Sequence, residues 1–364
     1  MKVEFTVLGR LYTKYQSEYE EAVLRILRSG WYILGNELTK FENDFAAYHG
    51  VKHCAGVGNG LDALCFAVSA LGIGPGDEVI VQANTYIATA LAVSETGAIP
   101  VFVEADKFFG IDPEGIEKAI TEKTKSIMAV HLYGQPCNMD QIMEIGNKHN
   151  LHVIEDCAQA HGAKYKGKLV GTFGDAGCFS FYPTKPVGAM GDAGAVITNS
   201  NELDDKVRMI RNYGSKVKYK HEIIGINSRM DEIQAAVTCV ALKHIEEGNG
   251  ERRAIAQKYL DGIKNPKVVL PDLRPDSEHV YHVFAVLCEE RDRLHDFLEE
   301  NNIHAQIHYP IPCHLAGCYS SLGSKSGKIP TAESFAKQEL SLPIYVGMPE
   351  DEVDYVIETI NRFK

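Results

Sequence analysis

The sequence predicts an α/β protein with a large domain built on a mostly parallel sheet and a smaller α+β domain at its C-terminal end. Three observations predict it. From Val51 to about Val196, short apolar runs of strand length alternate with helical patterns, the signature of a parallel sheet covered by helices on both faces. The 364 residues, 45% of them hydrophobic, suffice for a large core and two lobes. Beyond a long helical stretch from Arg229 to about Ile263, the pattern changes character.

In chain order, Ser17 to Leu27 reads as a helix packed across the main body. The runs Glu78-Val-Ile-Val81, Ile99-Pro-Val-Phe-Val103, Ser126-Ile-Met-Ala-Val-His131 and His152-Val-Ile-Glu155 read as strands. Gly248-Asn-Gly250 interrupts the long helical stretch and is the expected hinge. It divides the chain into a large domain, 1–247, and a small one, 248–364. In the small domain Val280 to Leu287 and Ala305 to Tyr309 read as strands, and Arg291 to Asn301 and Glu350 to Phe363 as helices.

Composition excludes several classes of function. With 37 basic against 49 acidic residues the formal charge is −12, which repels a nucleic-acid backbone. Nine scattered cysteines without a CxxC pair indicate neither a disulfide framework nor a zinc site, and suit a reducing cytoplasm. No apolar run approaches the roughly 20 residues of a membrane span, and the first ten residues do not form a signal peptide.

The chemistry concentrates around Lys185. It follows an apolar strand, in a turn of small residues between Cys178 and Val196, a setting for a reactive amine rather than a solvated one. Leu151-His-Val-Ile-Glu-Asp-Cys157 reads as a buried strand that ends by projecting Asp156, with Gln159 and His161 just beyond. Lysine plus strand-end aspartate is the pair that pyridoxal phosphate chemistry requires. Lys185 would hold the aldehyde, and burial would lower its ordinary pKa of about 10.4. A carboxylate at Asp156 would keep the ring nitrogen protonated; its bland role is a helix cap. The phosphate needs backbone amides at a helix start, which Gly58-Asn-Gly60 offers between a strand and a helix. Leu61 stands where a dinucleotide fingerprint wants glycine, so the loop fails as GxGxxG. Ser180 could add a phosphate contact and Tyr86 could stack on the ring, against readings as a strand serine and a core aromatic.

These segments resemble the DegT-like nucleotide-sugar aminotransferases, fold type I pyridoxal phosphate enzymes. The resemblance runs through Trp31-Tyr-Ile-Leu-Gly35, Gly58-Asn-Gly-Leu-Asp-Ala-Leu64, His131-Leu-Tyr-Gly-Gln-Pro136, Glu155-Asp-Cys-Ala-Gln-Ala-His-Gly162, Ser180 to Gly194 and Gly225-Ile-Asn-Ser-Arg-Met-Asp231. It implies Lys185 as the cofactor-bearing lysine, Asp156 at the ring nitrogen, Gln159 near the ring and Tyr86 on its face. It further implies Asn59, Gly60 and Ser180 at the phosphate, a homodimer with shared active sites, and Asn227 reaching the phosphate of the neighbouring subunit. Arg229 is a candidate for the donor carboxylate or the substrate. Leu61 departs from the threonine many relatives carry. Lys185 argues against the dehydrating branch, in which histidine replaces the lysine.

His308-Tyr309-Pro310, with Pro312 and His314, makes a stiff loop with titratable groups; no convincing metal ligand set accompanies it. Within the family this stretch is similar to the enzymes that aminate C-3 of a dTDP-3-keto-6-deoxyhexose, with Tyr182 also facing the sugar. C-4 amination of a 4-keto-6-deoxyhexose is the alternative, and a non-catalytic pyridoxal phosphate-binding regulator is the alternative from another class. The resemblance implies a two-stage exchange in which L-glutamate gives up its amino group, 2-oxoglutarate leaves, and the ketosugar receives the group, Lys185 moving the proton in both stages.

Overall fold

The computed structural model describes residues 1–322 and 327–364. Seven strands form the central sheet: β1 (His53–Val57), β2 (Glu78–Gln82), β3 (Ile99–Val103), β4 (Thr124–Val130), β5 (His152–Asp156), β6 (Ala176–Ser180) and β7 (Gly194–Thr198). Their order across the sheet is β1-β7-β6-β5-β4-β2-β3. Neighbours run parallel except at β7, which is antiparallel to both β1 and β6. The carboxyl ends of β1, β2, β4, β5 and β6 therefore share one edge, where ligands collect on such sheets.

Alternation along the strands builds two apolar layers. Val79 and Val81 pack with Leu64 and Phe66 on one face, while Ile80 between them packs with Ile116 and Ile142 on the other. Both faces are covered, which is why these strands read as continuous apolar runs. Phe41, Phe45, Phe179 and Phe181 make an edge-to-face aromatic group under β6.

The C-terminal lobe has its own core. Phe284–Leu287 pairs antiparallel with Glu339–Leu342, backed by helices Arg291–Glu300 and Glu350–Arg362. Tyr259, Phe284, Leu294, Leu298, Val353 and Val356 fill the space between, together with Val3 from the N-terminus. Helix Gln16–Ser29 lies against helix Glu232–Lys243 through Tyr19, Ala22 and Ile26. Arg10 then ties the N-terminal segment to the last helix by a bidentate pair with Glu352.

Three expected elements differ. The helical stretch breaks at His244, and helix Ile245–Gly262 runs unbroken through Gly248-Asn-Gly250. Each glycine costs a helix about 1 kcal/mol, but a Cβ on Gly248 would press on Val346 at 3.2 Å, and Asn249 donates to the carbonyl of His161 at 3.0 Å. These residues dock the helix; they do not hinge it. Val280–Val283 is not strand, because Val280 and Val283 donate their amides to the carbonyls of Gly134 and Tyr133, which draws the segment over the sheet's carboxyl edge. Ala305 to Tyr309 makes one bridge, Gln306 with Ser341, before the His308 amide turns to the Glu339 side chain at 2.6 Å.

Candidate active site

Asp156, the last residue of β5, is buried at the carboxyl edge of the sheet. Its Oδ1 accepts from the Ala158 amide at 3.1 Å and its Oδ2 from the Thr89 hydroxyl at 2.8 Å. Each oxygen keeps acceptor capacity. Burial pushes this carboxyl above its ordinary range, against the pull of those two donors and of Lys185. Lys185 follows β6, in a turn closed by its amide to the Tyr182 carbonyl at 2.8 Å. Burial lowers its amine to about 8, partly offset by Asp156. Its Nζ lies 3.5 Å from His282 Nε2. Burial, reinforced by the charge of Lys185, holds His282 well below the usual imidazole range, so it faces the amine as a neutral acceptor.

The glycine loop after β1 is built by close approach. A Cβ on Gly60 would fall 2.5 Å from the Cβ of Ser180, and one on Gly194 would fall 2.2 Å from the Asn59 carbonyl oxygen. Glycine at these positions brings the start of helix Gly60–Ala70 against the end of β6. Two of the expected phosphate contacts are spoken for. The Gly58 amide donates to Ser228 Oγ at 2.9 Å, and the Asn59 side chain caps the helix by accepting the Asp62 amide at 2.8 Å. Gly58 is a correction, since its amide is taken; for Asn59 only the side chain is taken, by the cap. The first amides of the helix, at Gly60 and Leu61, lie beside the Ser180 hydroxyl, a donor set that suits an anion.

Gln159 is buried and clamped. Its Oε1 accepts the Tyr133 amide at 2.6 Å and its Nε2 donates to the Tyr309 hydroxyl at 3.1 Å. Tyr133 is held at φ 61° to make this bond, and its hydroxyl donates to the His308 carbonyl. The Tyr86 ring sits 5.4 Å from that of Tyr309. Tyr86, Tyr182 and Asn227 are exposed. Arg229 donates to Asn212 Oδ1 at 2.9 Å and lies over the Tyr213 ring. His314 is the clear correction among the sugar-facing candidates. It is fully buried, with Nε2 3.2 Å from Glu333, and supports the wall of the loop without reaching its open side.

Sequence reasoning missed Thr89, Tyr133, Ser228 and His282. Thr89 carried a signal, lying one helical turn beyond Tyr86, and Tyr133 and Ser228 lie inside stretches that carry the family resemblance; His282 carried none, because long-range folding alone brings it here.

A ring and a phosphate fit what the chain leaves open: acceptor capacity on Asp156, a half-desolvated amine, and helix-start amides beside a serine hydroxyl. Fold and site together define a fold type I pyridoxal 5′-phosphate enzyme. The chain belongs to the DegT/DnrJ/EryC1/StrS aminotransferase family, whose model matches residues 13–361. It is 50% identical, over 99% of each chain, to dTDP-3-amino-3,6-dideoxy-alpha-D-galactopyranose transaminase of Aneurinibacillus thermoaerophilus. To dTDP-3-amino-3,4,6-trideoxy-alpha-D-glucose transaminase of Streptomyces venezuelae it is 46% identical, over 100% of this chain and 96% of that one. The crystal structure of S. venezuelae DesV superposes with a TM-score of 0.97 at 47% identity, covering 99% of this chain and 98% of that one. NtdA of Bacillus subtilis, solved with bound pyridoxamine phosphate, superposes at 0.92 with 32% identity, covering 99% and 84%. The protein is an aminotransferase, and no helix among the described residues is long and apolar enough to cross a membrane.

Proposed function

We propose that this aminotransferase moves the amino group of L-glutamate to the C-3 keto group of a dTDP-3-keto-6-deoxyhexose, giving a dTDP-3-amino-3,6-dideoxyhexose and 2-oxoglutarate. What carries the reading is full-length similarity at 50% and 46% identity to two transaminases of dTDP-3-amino sugars.

When bound, the cofactor supplies the electron sink that stabilises negative charge on the donor carbon. The protein does the rest. Lys185, with an amine near 8, takes and returns a proton at neutral pH, and His282 gives it a hydrogen-bond acceptor whenever it is free. Asp156 would hold a proton on the ring nitrogen, with Thr89 bonded to its carboxylate. Tyr86 would cover the ring, and Gln159, which orients Tyr309, would stand at its hydroxyl side. Gly60, Leu61 and Ser180 would hold the phosphate. Tyr182, Arg229, His308 and Tyr309 line the approach of the sugar and the donor carboxylate.

The enzyme works as a homodimer. Tyr219 and Ile224 are 82% and 97% exposed, and Trp31, Tyr213, Ile223 and Ile226 are exposed as well, apolar surface that a partner subunit would cover. Asn227 lies in this same exposed stretch, and in the dimer it reaches the partner's phosphate. The compartment is the cytoplasm, consistent with nine unpaired cysteines.

The test is to incubate holoenzyme and glutamate with 3-keto and 4-keto dTDP-6-deoxyhexoses separately and locate the new amine by NMR. Nitrogen at C-3 is expected; amination only at C-4 overturns the assignment.

A further inference from the structure

Behind His308 lies a closed chain of three groups. Glu339 and Ser341 are two apart on the strand Glu339–Leu342, so both project from one face, and both are fully buried. Glu339 Oε2 accepts the His308 backbone amide at 2.6 Å. Ser341 Oγ lies 2.5 Å from Glu339 Oε1 and 2.8 Å from His308 Nδ1. Nε2 of His308 has no partner among the described residues, and the ring lies near enough to Lys185 to feel its charge. Burial, aided by the Lys185 charge, lowers His308 to about 4, so the ring is neutral and carries a single N–H.

Ser341 has one proton to place, and that proton orders the chain. With Glu339 ionised, Ser341 donates to the carboxylate and accepts from His308 Nδ1–H, leaving Nε2 a bare acceptor. With Glu339 protonated, the acid donates to Ser341, Ser341 donates to Nδ1, and the hydrogen of His308 moves to Nε2. We propose that Glu339 and Ser341 are positioning residues that decide which nitrogen of His308 carries its hydrogen, so that Nε2 donates to an oxygen of the ketosugar at neutral pH and loses that ability at alkaline pH. A keto oxygen only accepts, so the donor form is the productive one. This deepens the proposed function and rests on His308 facing the sugar.

Burial raises Glu339 to about 8, against the opposing bonds from Ser341 and His308 and the charge of Arg291. Arg291 itself is bonded to the Ala336 and Glu339 carbonyls. Tyr133 and Tyr309, which also face Glu339, are pushed up by burial and stay neutral through this range. Toward His308 the titrating neighbour is Lys185, while His282 remains neutral.

The test uses holoenzyme labelled with 15N-histidine, with His308 assigned by difference against His308→Gln, followed across roughly pH 6 to 10. Wild type is expected to pass from Nε2–H to Nδ1–H with a midpoint of about 8. In Glu339→Gln the carboxamide oxygen must stay on the His308 amide, so its NH2 faces Ser341 and pins His308 as Nε2–H at every pH. Ser341→Ala, which keeps Glu339 in place, uncouples the ring from pH. The KM for ketosugar is expected to rise about 3- to 10-fold above the midpoint in wild type and to stay flat in Glu339→Gln, with the KM for glutamate following the same course in both. A His308 tautomer that is identical in all three proteins across the range overturns the proposal. A tautomer that follows Glu339 while the sugar KM ignores it overturns instead the contact between His308 and the sugar.

Discussion

Glu155 and Asp156 are adjacent on one strand, both buried and both carboxylates, yet they sit in opposite electrostatic worlds. Alternation turns them to opposite faces of the sheet. Glu155 is saturated: Oε1 accepts the amides of Phe173 and Gly174 at 2.7 and 2.9 Å, and Oε2 accepts the Gly171 amide at 2.7 Å and His131 Nε2 at 3.0 Å. Burial alone would raise its pKa, but His131 and these amides more than offset it and hold the group below the ordinary carboxylate range. Asp156 has one donor per oxygen and is raised. A carboxylate with four donors is a rivet; one with two is an acceptor held in reserve for a ligand. His131, Glu155 and Cys157 bring three potential metal-ligand atoms within 4.8 Å. His131 Nδ1 already accepts the Cys137 amide at 3.0 Å, so Nε2 carries the hydrogen that Glu155 accepts. The cluster is a buttress.

The comparison breaks most sharply at the amine facing Asp156. Lys185→Ala is expected to lower turnover by at least about 10³-fold with an unchanged elution volume in size-exclusion chromatography; turnover at the normal rate would remove Lys185 from the chemistry. Asp156→Ala should cost about 10²- to 10⁴-fold in the glutamate half-reaction and loosen cofactor retention, both read from visible absorbance. An unchanged rate would reduce Asp156 to a cap like Asn59.

Glu155→Ala is the contrasting substitution. It orphans three backbone amides and the buried His131, and should remove roughly 3–5 kcal/mol of stability in urea titration, with the half-reaction rate of the folded holoenzyme within a few-fold of wild type. A catalytic loss as large as that of Asp156→Ala would merge the two roles. Thr89→Val takes away one charge-assisted bond and should slow the half-reaction about tenfold, with the acid limb of the pH profile moved upward, because losing a donor raises Asp156 further.

Lys185 also carries a pH signature in the apoprotein. Its folded pKa is about 8 against 10.5. Below pH 8 folded and unfolded chains are both protonated and the burial cost is borne in full; between 8 and 10.5 the folded chain sheds its proton first, and stability rises. Lys185→Met should flatten that rise, as measured by thermal unfolding of apoprotein. The smallest expected effect is none: a chelator should leave the melting temperature unchanged, whereas a drop would make the His131 cluster a metal site.

Much of this was legible in the chain itself. Strand periodicity located β2 to β5, and the pairing of a lysine among small residues with a strand-end aspartate named the cofactor, because both signals are local. Other features were illegible for the opposite reason. Nothing in Gly248-Asn-Gly250 says that a helix runs through it until Val346 and His161 are seen to need it there. The apolar run Val280–Val283 looks like strand because burial, whatever its cause, selects the same residues. His314 resembled a ligand for the sugar until its buried partner, Glu333, appeared.

By itself the sequence determined the layer order, the reactive pair and the family, since periodicity and motif spacing depend on residues near one another in the chain. Only the tertiary structure decided which carboxylate is saturated and which is left open, that His282 faces Lys185, and that Glu339 and Ser341 stand behind His308. Those outcomes depend on how many donors converge on one buried atom from distant segments, and the electrostatics of a buried group follow from that convergence.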